Sequence, residues 1–124
     1  MNGAANSARG AAAERAVVNW LRANGHPDAR RSGRGFAGSD VIGVHLTIEI
    51  KDVVASCWPT WCRQALAARR DTEPVIVVRR TRGRPDVAAW DCRWTTGVGP
   101  DLAWVSGEPF GHVIGLLTRR KGTT

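Results

Sequence analysis

The clearest alternation of apolar and polar residues is "VHLTIEIK", Val44 to Lys51. Val44, Leu46, Ile48 and Ile50 fall on one face of an extended segment; His45, Thr47, Glu49 and Lys51 fall on the other. The pattern predicts a half-buried strand over 44–51. A shorter extended piece, Asp40 to Gly43, precedes it, and a tight turn at Gly43 would make the two an antiparallel hairpin. Asp28 to Ser32 reads as another short strand, followed by the Gly-rich loop "SGRGFAGS". "EPVIVVRR" is a continuous β-branched run of the kind found in a strand buried on both faces. In "AAWDCRW", Trp90, Cys92 and Trp94 alternate, which again predicts a strand.

Helical spacing appears three times. From Gly10 to Asn24, Val17, Trp20, Leu21 and Asn24 recur on one side, and Asn24-Gly25 is a stop signal. In "SCWPTWCRQALAARR", Pro59 suits a first turn, and Trp61, Ala65 and Ala68 give a packing stripe. "SGEPFGHVIGLLTRR" predicts a closing helix with Ser106 as its N-cap. The expected order is α-β-β-β-α-β-β-α, an α/β chain with a mixed β-sheet flanked by helices. With 124 residues it makes one domain over 1–124, of which residues 1–9 are expected to be flexible.

Charge and composition narrow the function. The formal net charge is +7, which favours a polyanionic partner such as nucleic acid. No apolar run is long enough to span a bilayer, and the first residues lack the apolar stretch of a secretory signal. Cys57, Cys62 and Cys92 form no CxxC pair, so reduced thiols in a cytoplasm are expected. Ala/Arg/Gly-rich coding suggests a bacterium of high GC content or one of its phages. Only Lys51 and Lys121 among the 18 basic residues are lysine. Lys51 therefore stands out, because lysine is the basic side chain whose amine can be tuned.

Lys51 has carboxylates around it. Glu49 projects from the same strand face, about 7 Å away along the chain. Asp40 lies nine residues before Glu49, across the supposed hairpin, and Glu14 sits on the first helix, which must cover a face of the sheet. Three carboxylates converging beside one amine would suit a hard divalent cation, which prefers oxygen ligands. Such a cation lowers the pKa of water and neutralises charge in phosphodiester hydrolysis. Glu49 and Lys51 also read as an exposed ion pair, stabilising by under about 1 kcal/mol.

"GSD" at 38–40 followed by "EIK" at 49–51 resembles the PD-(D/E)xK nuclease superfamily, with Ser39 where the family usually has proline. "AERAVVNWLRANG", "ARRSGRGFAGSD" and "LTIEIKD" together are similar to the archaeal-type Holliday junction resolvases, over roughly residues 10 to 80. The resemblance implies a restriction-endonuclease-like core and a magnesium-dependent endonuclease, with manganese able to substitute, that cuts four-way DNA junctions as a homodimer. It implies no membrane and no small-molecule cofactor. By the same resemblance, Asp40, Glu49 and the main-chain carbonyl of Ile50 would hold the metal, with Glu14 on the same or a second ion. Lys51 would position the attacking water. Arg15, Arg30, Arg31 and Arg34 would contact phosphates, Ser32 would lie close to the cleaved strand, and Gln64 would face the site.

Other readings stay open. Gln64 and Ser32 equally suit a solvent-facing helix and a self-capping loop. "RRTRGR", Arg79 to Arg84, reads as a DNA-binding loop or a solvated turn. The tryptophans read as core and dimer surface rather than base-stacking platforms. The chain as a whole also reads as a nuclease for flaps or duplex DNA, as a non-catalytic nucleic-acid-binding domain, or as a regulatory subunit of a recombination complex. "DCRWTTGVGPDLAWVSGEP", Asp91 to Pro109, carries no family feature.

Overall fold

A computed structural model describes residues 3–33 and 38–119. Helix α1 spans Gly3–Ala23, so its backbone begins well before the expected Gly10. Ala13, Val17, Val18 and Leu21 are buried, one stripe of the helix. The stop reads as expected. Gly25 takes a φ of 98°, and the His26 N–H donates to the Leu21 carbonyl in a Schellman arrangement.

Strands β1 (Arg30–Arg31) and β2 (Val41–Ile42) pair antiparallel as a separate small sheet. The main sheet has the order β3-β4-β5-β6: Thr47–Lys51, Val75–Arg79, Asp91–Thr95 and Val105–Pro109. β3 and β4 run parallel, joined by helix α2 (Trp58–Ala67), and the other two pairings are antiparallel. Helix α3, Phe110–Arg119, closes the chain.

The sheet separates two apolar layers. On one face Ile48, Ile50, Ile76, Val78 and Cys92 pack with α1 and with Phe110, Val113, Ile114 and Leu117 of α3. On the other, Val75 and Val77 pack with Trp61, Cys62 and Ala65 of α2. Each buried aliphatic side chain contributes roughly 1.5–3 kcal/mol of transfer free energy. Among the described residues no helix is long and apolar enough to cross a membrane.

Four expectations need correction. The strand expected over 44–51 begins only at Thr47. Val44 and Leu46 are buried as the alternation requires, but the ladder stops. Thr47 N–H donates to the Pro74 carbonyl, and the next bond back would need the N–H that Pro74 lacks. The hairpin about Gly43 does not form either, because β2 spends its ladder on β1. Ser106 caps no helix. It lies inside β6, a strand of exposed and half-buried residues with no apolar period to reveal it, and α3 begins four residues later at the buried Phe110. The observed order therefore has one strand more than expected.

Candidate active site at the end of β3

β3 is bonded to a strand on one side only. In its parallel ladder with β4, Thr47, Glu49 and Lys51 direct their main-chain groups to β4, as the Thr47 N–H to Pro74 and Arg80 N–H to Lys51 bonds show. Ile48 and Ile50 direct theirs to the open edge, where residues 39–40 meet them. Asp40 N–H donates to the Ile48 carbonyl at 2.9 Å. The Ser39 hydroxyl fills the rest of the gap. It accepts from Ile48 N–H at 2.8 Å and lies 2.8 Å from the Val41 carbonyl and 3.2 Å from that of Ile48. A buried serine thus performs the joining that a hairpin ladder was expected to perform.

This joining places Asp40. Its Oδ2 accepts a 2.7 Å bond from Ile50 N–H. In an extended strand a residue's N–H and C=O leave by the same edge, so the Ile50 carbonyl opens beside Asp40. Glu49 and Lys51 project toward the α2 side. Lys51 Nζ lies 3.1 Å from Glu49 Oε2 and donates to Gln64 Oε1 at 3.1 Å. The two side chains are only 23% and 16% exposed, Lys51 and Glu49 respectively, so this is not the freely solvated pair of the simpler reading. Gln64 is exposed, and its Oε1 accepts from Lys51, so the solvent-facing position and a place beside Lys51 hold together.

The electrostatics agree with crowding of like charges. The Asp40 carboxyl is pushed up from 3.8 to about 7, first by burial and then by the Glu49 carboxylate, with a smaller push from Glu14. The Ile50 N–H and the Lys51 amine oppose the rise by favouring the ionised form. Glu14 is therefore within electrostatic reach of Asp40, but its Oε1 is bonded by Arg31 Nε at 3.0 Å. The convergence is looser than expected. Among the described residues, no three His, Cys, Asp or Glu side chains stand close enough to hold a metal ion by themselves. The oxygen donors nearest to a set are the Asp40 and Glu49 carboxylates, within electrostatic reach of each other, with the Ile50 carbonyl leaving by the same strand edge as the Ile50 N–H that Asp40 accepts from. Hard oxygens of this kind fit magnesium or manganese, which keep several waters and need few protein ligands.

The other expected residues distribute as follows. Ser32 N–H donates to the Asp40 carbonyl at 3.1 Å, which extends the β1–β2 pairing and sets Ser32 beside the site. Arg15 and Arg30 are exposed, and Arg30 Nη1 donates weakly to the Asp28 carbonyl at 3.4 Å. Arg34 lies outside the described residues. Two contributors were not singled out from the sequence. The sequence marks Ser39 only as a departure from proline, and its neighbours Gly38 and Asp40 carry no apolar signal of its burial. Arg79 donates to the carbonyls of Val53 and Val54 and so fixes the chain leaving Lys51; nothing in its sequence context signals that.

Compared with family models, with curated proteins and with solved structures, the chain finds no match.

Proposed function

We propose that the chain is a metal-dependent endodeoxyribonuclease with a restriction-endonuclease-like core. Its substrate is branched DNA, most simply a four-way junction, cut by two copies of the chain acting as a homodimer. One observation carries the reading: the Asp40 carboxylate is held by Ile50 N–H at the open edge of β3, within electrostatic reach of Glu49 and of a Lys51 amine that is itself bonded to Gln64. Active sites of open α/β sheets form outside the carboxyl ends of strands, and Lys51 ends β3.

In this reading Asp40, Glu49 and the Ile50 carbonyl hold a magnesium ion. The ion, when bound, supplies positive charge that stabilises the phosphoryl oxygens and acidifies water. Lys51 orients the attacking water and assists loss of its proton. Gln64 holds the Lys51 amine in place. Arg31 has a choice of anions: a DNA phosphate would draw it from Glu14 and leave that carboxylate to join the ligand set. Arg15, Arg30 and Arg34 add phosphate contacts. A symmetric pair of sites suits two incisions at fixed separation.

The test compares a synthetic four-way junction, a flap and a linear duplex at one salt concentration, with magnesium and with EDTA. Magnesium-dependent cutting of the junction, abolished in Asp40→Asn and Lys51→Ala while binding persists, supports the reading. Preferred cutting of flaps or duplex keeps the nuclease and changes the substrate. DNA binding with no magnesium-dependent cutting would leave a non-catalytic binding domain instead.

A further inference from the structure

The nuclease reading draws on Asp40 and Arg31 beyond the open edge of β3 and on Gln64 over its α2 face. On the other side of β3 lies β4, in register with Lys51 opposite Arg79. The chain then leaves β4 as "RTRGRP", Arg80 to Pro85. Arg80 N–H donates to the Lys51 carbonyl at 2.8 Å, so this loop begins one strand from the candidate active site. Adjacent strands lie about 4.8 Å apart.

The loop is built rather than loose. A turn closes from Arg84 N–H to the Thr81 carbonyl at 3.1 Å, with Gly83 at a φ of 80°. The Thr81 hydroxyl donates to the Arg79 carbonyl at 3.0 Å and accepts from Asp91 N–H at 2.9 Å. The buried Trp90 anchors the turn by donating its indole N–H to the Arg84 carbonyl at 2.8 Å, and its ring lies 5.8 Å from the Arg80 guanidinium.

Three arginines and Thr81 line a cleft here together with Asp52. Arg80 is steered by Asp52 at 3.7 Å, and Arg84 by Asp91 at 3.1 Å and the Ala89 carbonyl at 3.0 Å. Arg82, at the exposed tip, meets no carboxylate among the described residues. Two acids thus orient two of the three cations and leave a net positive cleft. A turn this constrained that ends in an unneutralised arginine is poorly explained as a solvated connection.

We propose that the Arg80–Arg82–Arg84 loop is a second phosphate-binding surface. It would grip the backbone of the substrate nucleic acid on the side of Lys51 opposite Arg31. A DNA strand carries one charge per about 3.4 Å of helix axis, so phosphates a few steps from one lying over Lys51 fall at the cleft. The inference rests on the nuclease reading for its ligand. The loop would then fix the path of the strand through the site and would bind in the absence of metal.

The experiment uses the full chain in EDTA. Fluorescence anisotropy measures junction affinity over a salt series for wild type, Arg82→Ala, Arg82→Glu and Arg63→Ala. Arg63 is an exposed α2 arginine whose loss removes the same charge. Arg82 makes no described contact, so its replacement should leave the fold intact, which melting checks. The expected result is that Arg82→Ala weakens binding and lowers the salt slope by about 0.9, the value for one lost phosphate contact. Arg82→Glu should weaken binding further, and Arg63→Ala should leave the slope unchanged. If Arg82→Ala and Arg63→Ala behave alike while wild type binds in EDTA and cuts once magnesium is added, the loop assignment is overturned and the nuclease reading stands. If wild type binds no DNA at any salt, both fall.

Discussion

The Asp40 carboxylate and the Ile50 amide are joined by a 2.7 Å hydrogen bond across the open edge of β3. That bond links a loop to a strand, and it is the reason one acidic group faces Glu49 and Lys51. Its acceptor is also the most electrostatically burdened carboxylate described, with its pKa near 7.

The burden has a consequence for stability in metal-free buffer. The folded pKa of Asp40 lies above the ordinary 3.8, so the native state holds this proton more tightly than the unfolded state does. Stability from this group is full below about pH 4 and is lost as pH rises through about 7. In EDTA, wild type should lose more melting temperature than Asp40→Asn between pH 5 and pH 8, since asparagine carries no proton to release. Parallel melting curves for the two proteins would refute the assignment.

Ser39 is buried with its hydroxyl between Val41 and Ile48. Ser39→Ala leaves the Ile48 N–H without its acceptor, at a cost of about 1–3 kcal/mol. Denaturant titration should show that loss. Because the same clamp seats Asp40, magnesium-dependent cutting should fall more steeply than stability alone accounts for. Full activity in a destabilised Ser39→Ala protein would separate the clamp from the site.

Gln64 bonds to Lys51 without touching the carboxylates that would hold the ion. Gln64→Ala should therefore slow the cleavage step, on the order of tenfold as for other orienting partners, with junction affinity unchanged. Single-turnover rates and anisotropy separate the two effects. A change confined to affinity would place Gln64 on the DNA rather than on the lysine.

Gly43 has a φ of 84°, and a Cβ built there would lie 1.9 Å from the Asp28 carbonyl oxygen. Gly43→Ala should thus destabilise the protein by more than the roughly 1 kcal/mol of a strained φ alone, because backbone must move as well. Thermal unfolding measures it. An unchanged melting temperature would mean that β1 and the turn are not packed as described.

Periodicity determined much of this protein by itself. The apolar alternation from Val44 to Ile50 separated core from site, and it placed Glu49 and Lys51 on one face because side chains alternate along any extended chain. The β-branched run of β4 and the spacing of Val17 and Leu21 were equally legible, since burial leaves a period. Local signals also located the Gly25 stop and the Pro59 start. Tertiary structure decided what no period encodes. Pro74, just ahead of β4, cut β3 short by withholding one N–H. β6 is held by main-chain bonds to β5 and has no apolar rhythm of its own. The seating of Asp40 came from a serine hydroxyl rather than a hairpin, and the approach of the Arg80–Arg84 loop to Lys51 came from the parallel register of β3 and β4. Hydrogen bonds between distant segments depend on which backbone groups are left facing each other after packing. That is a property of the assembled sheet and not of any single stretch of chain.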